Sequence, residues 1–291
     1  MSAALKLDEL LYDSLESLSL PDVYIRLRQV MESDEASMAD AAEVISMDPA
    51  LAARVLRMAN SAFYGFRSQV DTITRATNIL GMQKIHDVVL AASVSKAFEG
   101  ISNDLMDMDT FWYRSVHAGF LAKAIAEGAG MRNCEAMFVR GLLHDIGHLI
   151  LFSRYPKECR QAMAQAEEGL DARLYAEHDL IGVDAMQFAA ELTRAWQLPK
   201  SIVDSFAHLM RPEDVSGPLA REVAILHIAV QFSAAIDSDL LIEDVVQRVR
   251  ASVWRLAELP PEVGAAALDV TAIEMIDAIY NVITQHDGVM P

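Results

Sequence analysis

Cysteine is nearly absent from this sequence: 291 residues contain two, Cys134 and Cys159, with no CxxC spacing. A disulfide framework is therefore not expected, and both read as small buried hydrophobes with no assigned chemistry. Glycine (13) and proline (9) are also scarce, and aromatics make up 7% against 53% hydrophobic residues overall. That balance favours helices packed through Ala, Leu, Val, Ile and Met. No strand-like alternation persists, and neither a glycine-rich phosphate loop nor an internal repeat occurs, so the fold class expected is all-α.

Cations are in short supply too. Lys and Arg number 24 against 42 Asp and Glu, a net charge of −18, and the resulting field favours solubility and repels polyanions. Duplex nucleic acid is excluded as a general partner, because affinity for phosphates needs Lys and Arg to replace counterions. A local basic pocket remains compatible with this balance. The start, MSAALKLDELLYDSL, lacks the basic segment, apolar run and small-residue cleavage site of an export signal, which points to a cytoplasmic protein. The most apolar stretches, 88–94 and 141–152, are too short or too interrupted by charge to cross a bilayer, so no membrane partner is expected.

The chain is long enough to bury a large core in one large domain or two closely packed ones. Pro21 opens a helix over VYIRLRQVM, and residues 38–47 form another. Asp48 as N-cap and Pro49 at the first helical position begin the next, which ends near Asn60. Helices are predicted at 72–80, stopped by Gly81, and at 83–98. The acidic stretch 99–109 reads as a solvated linker, dividing an N-terminal lobe (1–105) from a second lobe with a C-terminal helical extension (106–291). Beyond it the pattern predicts helices at 111–128, 134–152, 156–168, 179–196, 198–208, 218–236, 241–256 and 270–283.

Within the apolar segment GLLHDIGHL, His144 and Asp145 are two adjacent polar residues that need a reason. Neighbours on a helix point about 100° apart, so they could share one ion only from a helix edge facing a cleft, with a His from another helix completing the shell. A hydrogen-bonded structural pair is the equal alternative. His148 stacks one turn after His144, but the acid of a protease motif is missing and a capping or packing role is favoured. His86, His178, His208 and His227 are scattered and read as surface or hydrogen-bonded residues, while Asp48 and Asn60 have capping roles at helix ends. The 15 Met residues are mostly core filler, and the acidic runs 103–109 and 237–244 are solvated faces.

DPALAARVLRMANSAFYG (48–65), ITRATNILG (73–81), Phe111-Trp112, GLLHDIGHLIL (141–151) and WQLP (196–199) occur in an order and at spacings that resemble the HDOD family, over roughly residues 15–215. The resemblance implies an N-terminal helical lobe and an HD-domain-like helical bundle related to metal phosphohydrolases, in bacterial regulatory proteins generally thought to lack hydrolase activity. In the catalytic HD superfamily the ligands are an upstream His, the His-Asp doublet and a later Asp. Carried over, the upstream His falls at Arg114, whose guanidinium is no metal ligand. His117, about one turn on, is a conceivable shifted ligand. The later Asp falls at Val230, directly after Ala229, and a further His of many hydrolase-like relatives falls at Ala185.

The expected reading is a vestigial cleft of His144, Asp145, Arg114, His117 and His148, with no catalytic residue, no metal and no cofactor. If Arg114 faces Asp145, the protein's own cation replaces the charge of the metal. The function expected is non-catalytic regulation through protein–protein interaction with signalling proteins in bacterial signal transduction, such as motility or stress control, with a homo-oligomer left open. Two other readings stay open: a metal-dependent nucleotide phosphohydrolase or phosphodiesterase using His144, Asp145 and His117, and a nucleotide sensor without turnover using Arg114 and His144.

Overall fold

The computed structural model describes residues 3–15, 18, 20–33, 36–60, 69–98, 104–132, 134–164, 170–234 and 241–270. In chain order the helices are α1 (Ala3–Leu15), α2 (Asp22–Glu32), α3 (Met38–Ser46), α4 (Pro49–Ala59), α5 (Ile73–Leu80), α6 (Met82–Ala97), α7 (Met108–Gly128), α8 (Cys134–Leu143) and α9 (Ile146–Arg154). There follow α10 (Pro156–Met163), α11 (Leu170–Ile181), α12 (Ala185–Ala195), α13 (Lys200–Ala207), α14 (Pro218–Ala234), α15 (Ile242–Arg248), α16 (Ala251–Ala257) and α17 (Pro261–Val270). No strand occurs among the described residues, so the class is all-α.

Two compact units emerge: the described parts of 19–99 form one, and those of 1–18 with 100–271 form the other. In the first, local chemistry sets each helix start. Ser37 and Asp40 make a reciprocal capping box ahead of α3. The Asp48 carboxylate accepts from the amides of Ala50 and Leu51 at 3.0 and 3.1 Å, and Thr72 caps α5 through Arg75 N at 3.2 Å. Asn60 goes further than a cap. Its side chain donates to Leu56 O (2.8 Å) and to Val70 O (2.7 Å) and accepts from Val70 N (2.7 Å), pinning together the two sides of residues 61–68. The interior is Tyr24, Leu27, Ile45, Val55, Met58 and Val89, all buried, each such side chain contributing about 1.5–3 kcal/mol of burial. Tyr24 keeps a polar link inside it: its hydroxyl donates to His86 Nε2 at 3.1 Å, and His86 Nδ1 donates to Asp87 at 3.1 Å.

The second unit is built on α7, which lies against α8 and α14. Residues 1–105 do not all share a lobe, as the sequence suggested: residues 1–18 cluster with the later unit, where the Trp196 indole donates to Leu18 O at 3.0 Å. The helix expected over 134–152 is two helices, turned at His144-Asp145. α9 then presses on the start of α12 so closely that a Cβ on Gly147 would lie 1.9 Å from Ala185 O. The helix expected over 179–196 is likewise broken, at Gly182, where φ of +92° suits glycine, and Asp184 restarts the chain with a capping box.

The 241–256 expectation also resolves into two helices, α15 and α16, separated by Val249 and Arg250. α17 was not anticipated, and the expected helix 270–283 lies outside the described residues. By length and composition Cys134–Arg154, mean hydropathy 1.2, could cross a membrane, contrary to the expectation that no stretch could; 83% of that apolar window is buried inside the protein.

Candidate functional site

The turn between α8 and α9 carries the doublet. His144 lies just past the last residue of α8 and donates Nδ1–H to Gly141 O at 2.6 Å, which leaves its Nε2 with the lone pair. Burial pushes its pKa below the ordinary imidazole value, against the opposing charge of Asp145, so His144 is neutral. Asp145 occupies the N-cap position of α9, yet its side chain caps no amide. It turns instead to the ring of His148, one turn into α9, accepting from Nδ1.

His148 is gripped from both sides. Its other ring nitrogen, Nε2, donates to Glu177 Oε1 on α11 at 2.8 Å. An imidazole with a carboxylate at each nitrogen donates twice, and only the imidazolium can do so. Burial and Arg173 oppose that charge, but Asp145 and Glu177 outweigh them and raise the pKa to about 9. The reciprocal effect holds Asp145 well below the usual carboxylate range, and Glu177 below it as well, despite burial pushing both the other way.

Glu177, fully buried, is the hub. Its Oε1 also accepts from Arg173 Nε at 3.0 Å and its Oε2 from the Ala185 amide at 3.1 Å. The Arg173 guanidinium lies 5.3 Å over the Phe152 ring, and the same ring stacks on His148 at 5.3 Å and 25°. Two carboxylates and two cations thus form a charge-neutral quartet linking α9, α11 and the first residue of α12. Burying such a group is tolerable only because each charge has partners.

Asp145 and His148 join directly, and His144 sits beside them. The cation joined to Asp145 is His148, whose ring lies three residues away along the chain and reaches the carboxylate without crossing from another helix. The Arg114 carbonyl accepts from Ser233 Oγ at 3.1 Å, and the buried His117 donates Nδ1–H to the same hydroxyl at 3.4 Å, so both are held to α14. Val230 and Ala185 are buried and offer no ligand atom from their side chains. Among the described residues, no group of three or more His, Cys, Asp or Glu is arranged to hold a metal ion. The residues therefore do not fit the metal of the HD superfamily: two expected positions are apolar, one is a guanidinium, and the Asp of the doublet is committed to an internal cation.

Sequence reasoning missed Glu177 and Arg173. Their i,i+4 spacing was visible in RLYAE, but nothing local marks a Glu on an amphipathic helix as the buried partner of a His 29 residues earlier.

Comparison with known proteins shows the family and the fold. The HDOD domain model matches residues 18–212. An HDOD domain protein of Geobacter sulfurreducens has the same fold, with a TM-score of 0.75, 22% identity and coverage of 96% of this chain and 98% of that one. A presumed phosphohydrolase of Shewanella amazonensis SB2B superposes with a TM-score of 0.73 at 25% identity, over 94% of this chain and 97% of that one. An uncharacterized protein of Treponema pallidum is 22% identical over 219 residues, 73% of this chain, which spans 42% of the length of that relative. With two thirds of its residues under the family model, and with the HD doublet at the α8–α9 turn, this chain belongs to the HDOD family.

Proposed function

We propose that this HDOD chain is a non-catalytic cytoplasmic regulator that acts by binding signalling proteins in bacterial signal transduction, in circuits such as motility or stress control. One observation carries the reading: Asp145, the carboxylate that a hydrolase would give to its metal, is taken by the His148 imidazolium, which Glu177 fixes from the other side. Activating water near neutral pH needs a divalent ion held by several open ligands, and Arg114 and Val230 stand where two of them would be. The doublet then serves as a structural joint, and function falls to the surfaces of the helices.

The test is metal analysis of protein purified without a metal-affinity column, combined with turnover assays on cyclic dinucleotides in manganese. Substoichiometric metal, no chelator-sensitive turnover, and saturable binding of a signalling protein that survives His144→Ala with Asp145→Asn are expected. Stoichiometric iron, manganese or zinc, or turnover abolished by chelator and by Asp145→Ala, overturns the reading. It would favour the phosphohydrolase alternative, which rests on the description of the Shewanella relative and on the free Nε2 lone pair of His144.

A further inference from the structure

We propose that a cleft on the HD-like unit, between α11, α12, α13 and the turn after α13, binds a small amphipathic organic anion: an apolar body carrying a single carboxylate-type head. The cleft has a volume of about 340 Å³, within the roughly 300–1,000 Å³ range of small-molecule sites. It shares no named residue with the Asp145–His148–Glu177–Arg173 quartet, although α11 supplies a wall to one and the hub to the other.

Its floor is apolar, formed by the buried side chains of Leu174, Met186 and Phe206. Its polar edge is rich in hydrogen-bond donors. His178 and His208 line it and make no side-chain hydrogen bond to the described residues, and Arg211 is exposed beside them. Tyr175, an exposed aromatic ring, lines the same edge as Arg211.

The two carboxylates of the lining, Asp184 and Asp214, have partners of their own. Asp184 is consumed by α12, accepting from the amides of Met186 and Gln187, both at 2.9 Å. Burial moreover raises its pKa, which disfavours a free negative charge there. Asp214 lies on the exposed turn Pro212–Asp214, where its attraction for Arg211 is screened by water. The donors left at the edge are the Arg211 guanidinium, the two imidazoles, the Gln187 amide and the Tyr175 hydroxyl. An apolar floor with a donor-rich edge matches a hydrophobic anion better than a neutral hydrocarbon, which would leave the edge unpaired, or a sugar, which would leave the floor unused. Two sources carry that chemistry, a medium-chain acyl carboxylate and an aromatic carboxylate, and they are separable by competition.

The full chain is titrated with 8-anilinonaphthalene-1-sulfonate, an aromatic anion whose emission rises on leaving water. One saturable site is expected. Arg211→Glu should weaken it by about ten-fold or more, the loss of one charge-assisted contact, and Ala207→Trp, which puts an indole into the mouth, should abolish it. Arg211 and Ala207 are both exposed, so an unchanged melting temperature in each variant shows that the fold is intact. Displacement by decanoate identifies an acyl source and displacement by indole-3-acetate an aromatic one; either result supports the site. The proposal is overturned if neither displaces the probe, if decanol and indole-3-acetamide compete as well as the acids, or if both variants bind as wild type does.

Discussion

Two polar networks stabilise the HD-like unit, and they are made of much the same residue types. The first is Asp145, His148, Glu177 and Arg173; the second joins Arg250 to Asp171, Glu213 and the Met210 carbonyl, with Gln231 on Asp171 and Ser252 on Glu213. They differ in solvent. His148 and Glu177 have no exposed side-chain surface, whereas the side chains of Arg250, Glu213 and Asp171 are 37%, 34% and 28% exposed. Water can replace a lost partner in the second network and cannot in the first. Ion pairs of the same kind should therefore carry very unequal energies in the two networks.

Removing the hub of the buried network is the sharpest way to break the comparison. Glu177→Ala leaves an imidazolium and a guanidinium facing each other without their shared carboxylate, and also orphans the Ala185 amide. A loss of about 3–5 kcal/mol is expected in urea unfolding, and a loss under 1 kcal/mol would show that water enters the site. The second prediction concerns pH. The His148 pKa is raised from 6.5 to about 9, so its contribution is fully present below the unfolded value and is lost as pH rises through about 9. Asp145 and Glu177 have lowered pKa values, so their contributions are present above the unfolded carboxylate range and lost in acid. Stability should fall by a few kcal/mol from near neutral pH toward pH 9–10, and His148→Gln should flatten that limb of a melting-temperature profile.

Arg250→Ala tests the half-exposed network. Three acceptor groups lose a donor, but solvent reaches all of them, so about 1–2 kcal/mol is expected. Unlike the Glu177 effect, this one should shrink in high salt, because exposed pairs are screened. The smallest effect belongs to Lys200→Ala: its partner Asp204 is one turn along α13 and the lysine side chain is 87% exposed, so no measurable change is expected.

Much of the fold was legible because helix punctuation is local. Asp48-Pro49, Thr72 and Gly81 mark boundaries through side chains that bond or bend the adjacent backbone. The breaks at 144–145 and at Gly182 were hidden for different reasons. Around His144-Asp145 the flanking residues are apolar at helical spacing, and the turn arises where an apolar run meets the pull of Asp145 on His148 and the contact of Gly147 with α12. At Gly182 the glycine was visible, but only the left-handed backbone shows that it ends a helix. The site was half legible. An Asp and a His three apart, Asp145 and His148, are neighbours on any helix turn, and weighing that spacing would have found the internal cation that was sought in Arg114. Glu177 comes from a helix separated by sequence and brought in by packing, and no local pattern announces it.

The contact between Gly147 and the Ala185 carbonyl has a consequence for metal binding. Restoring a metal here is not a matter of replacing Arg114 and Val230 with ligands, since the Ala185 amide is bonded to Glu177 and its carbonyl abuts α9. A His at position 185 would have to grow from backbone already held on two sides, while an arriving divalent cation would compete with His148 for Asp145. Each substitution toward a metal site would therefore weaken the scaffold before it gained a ligand.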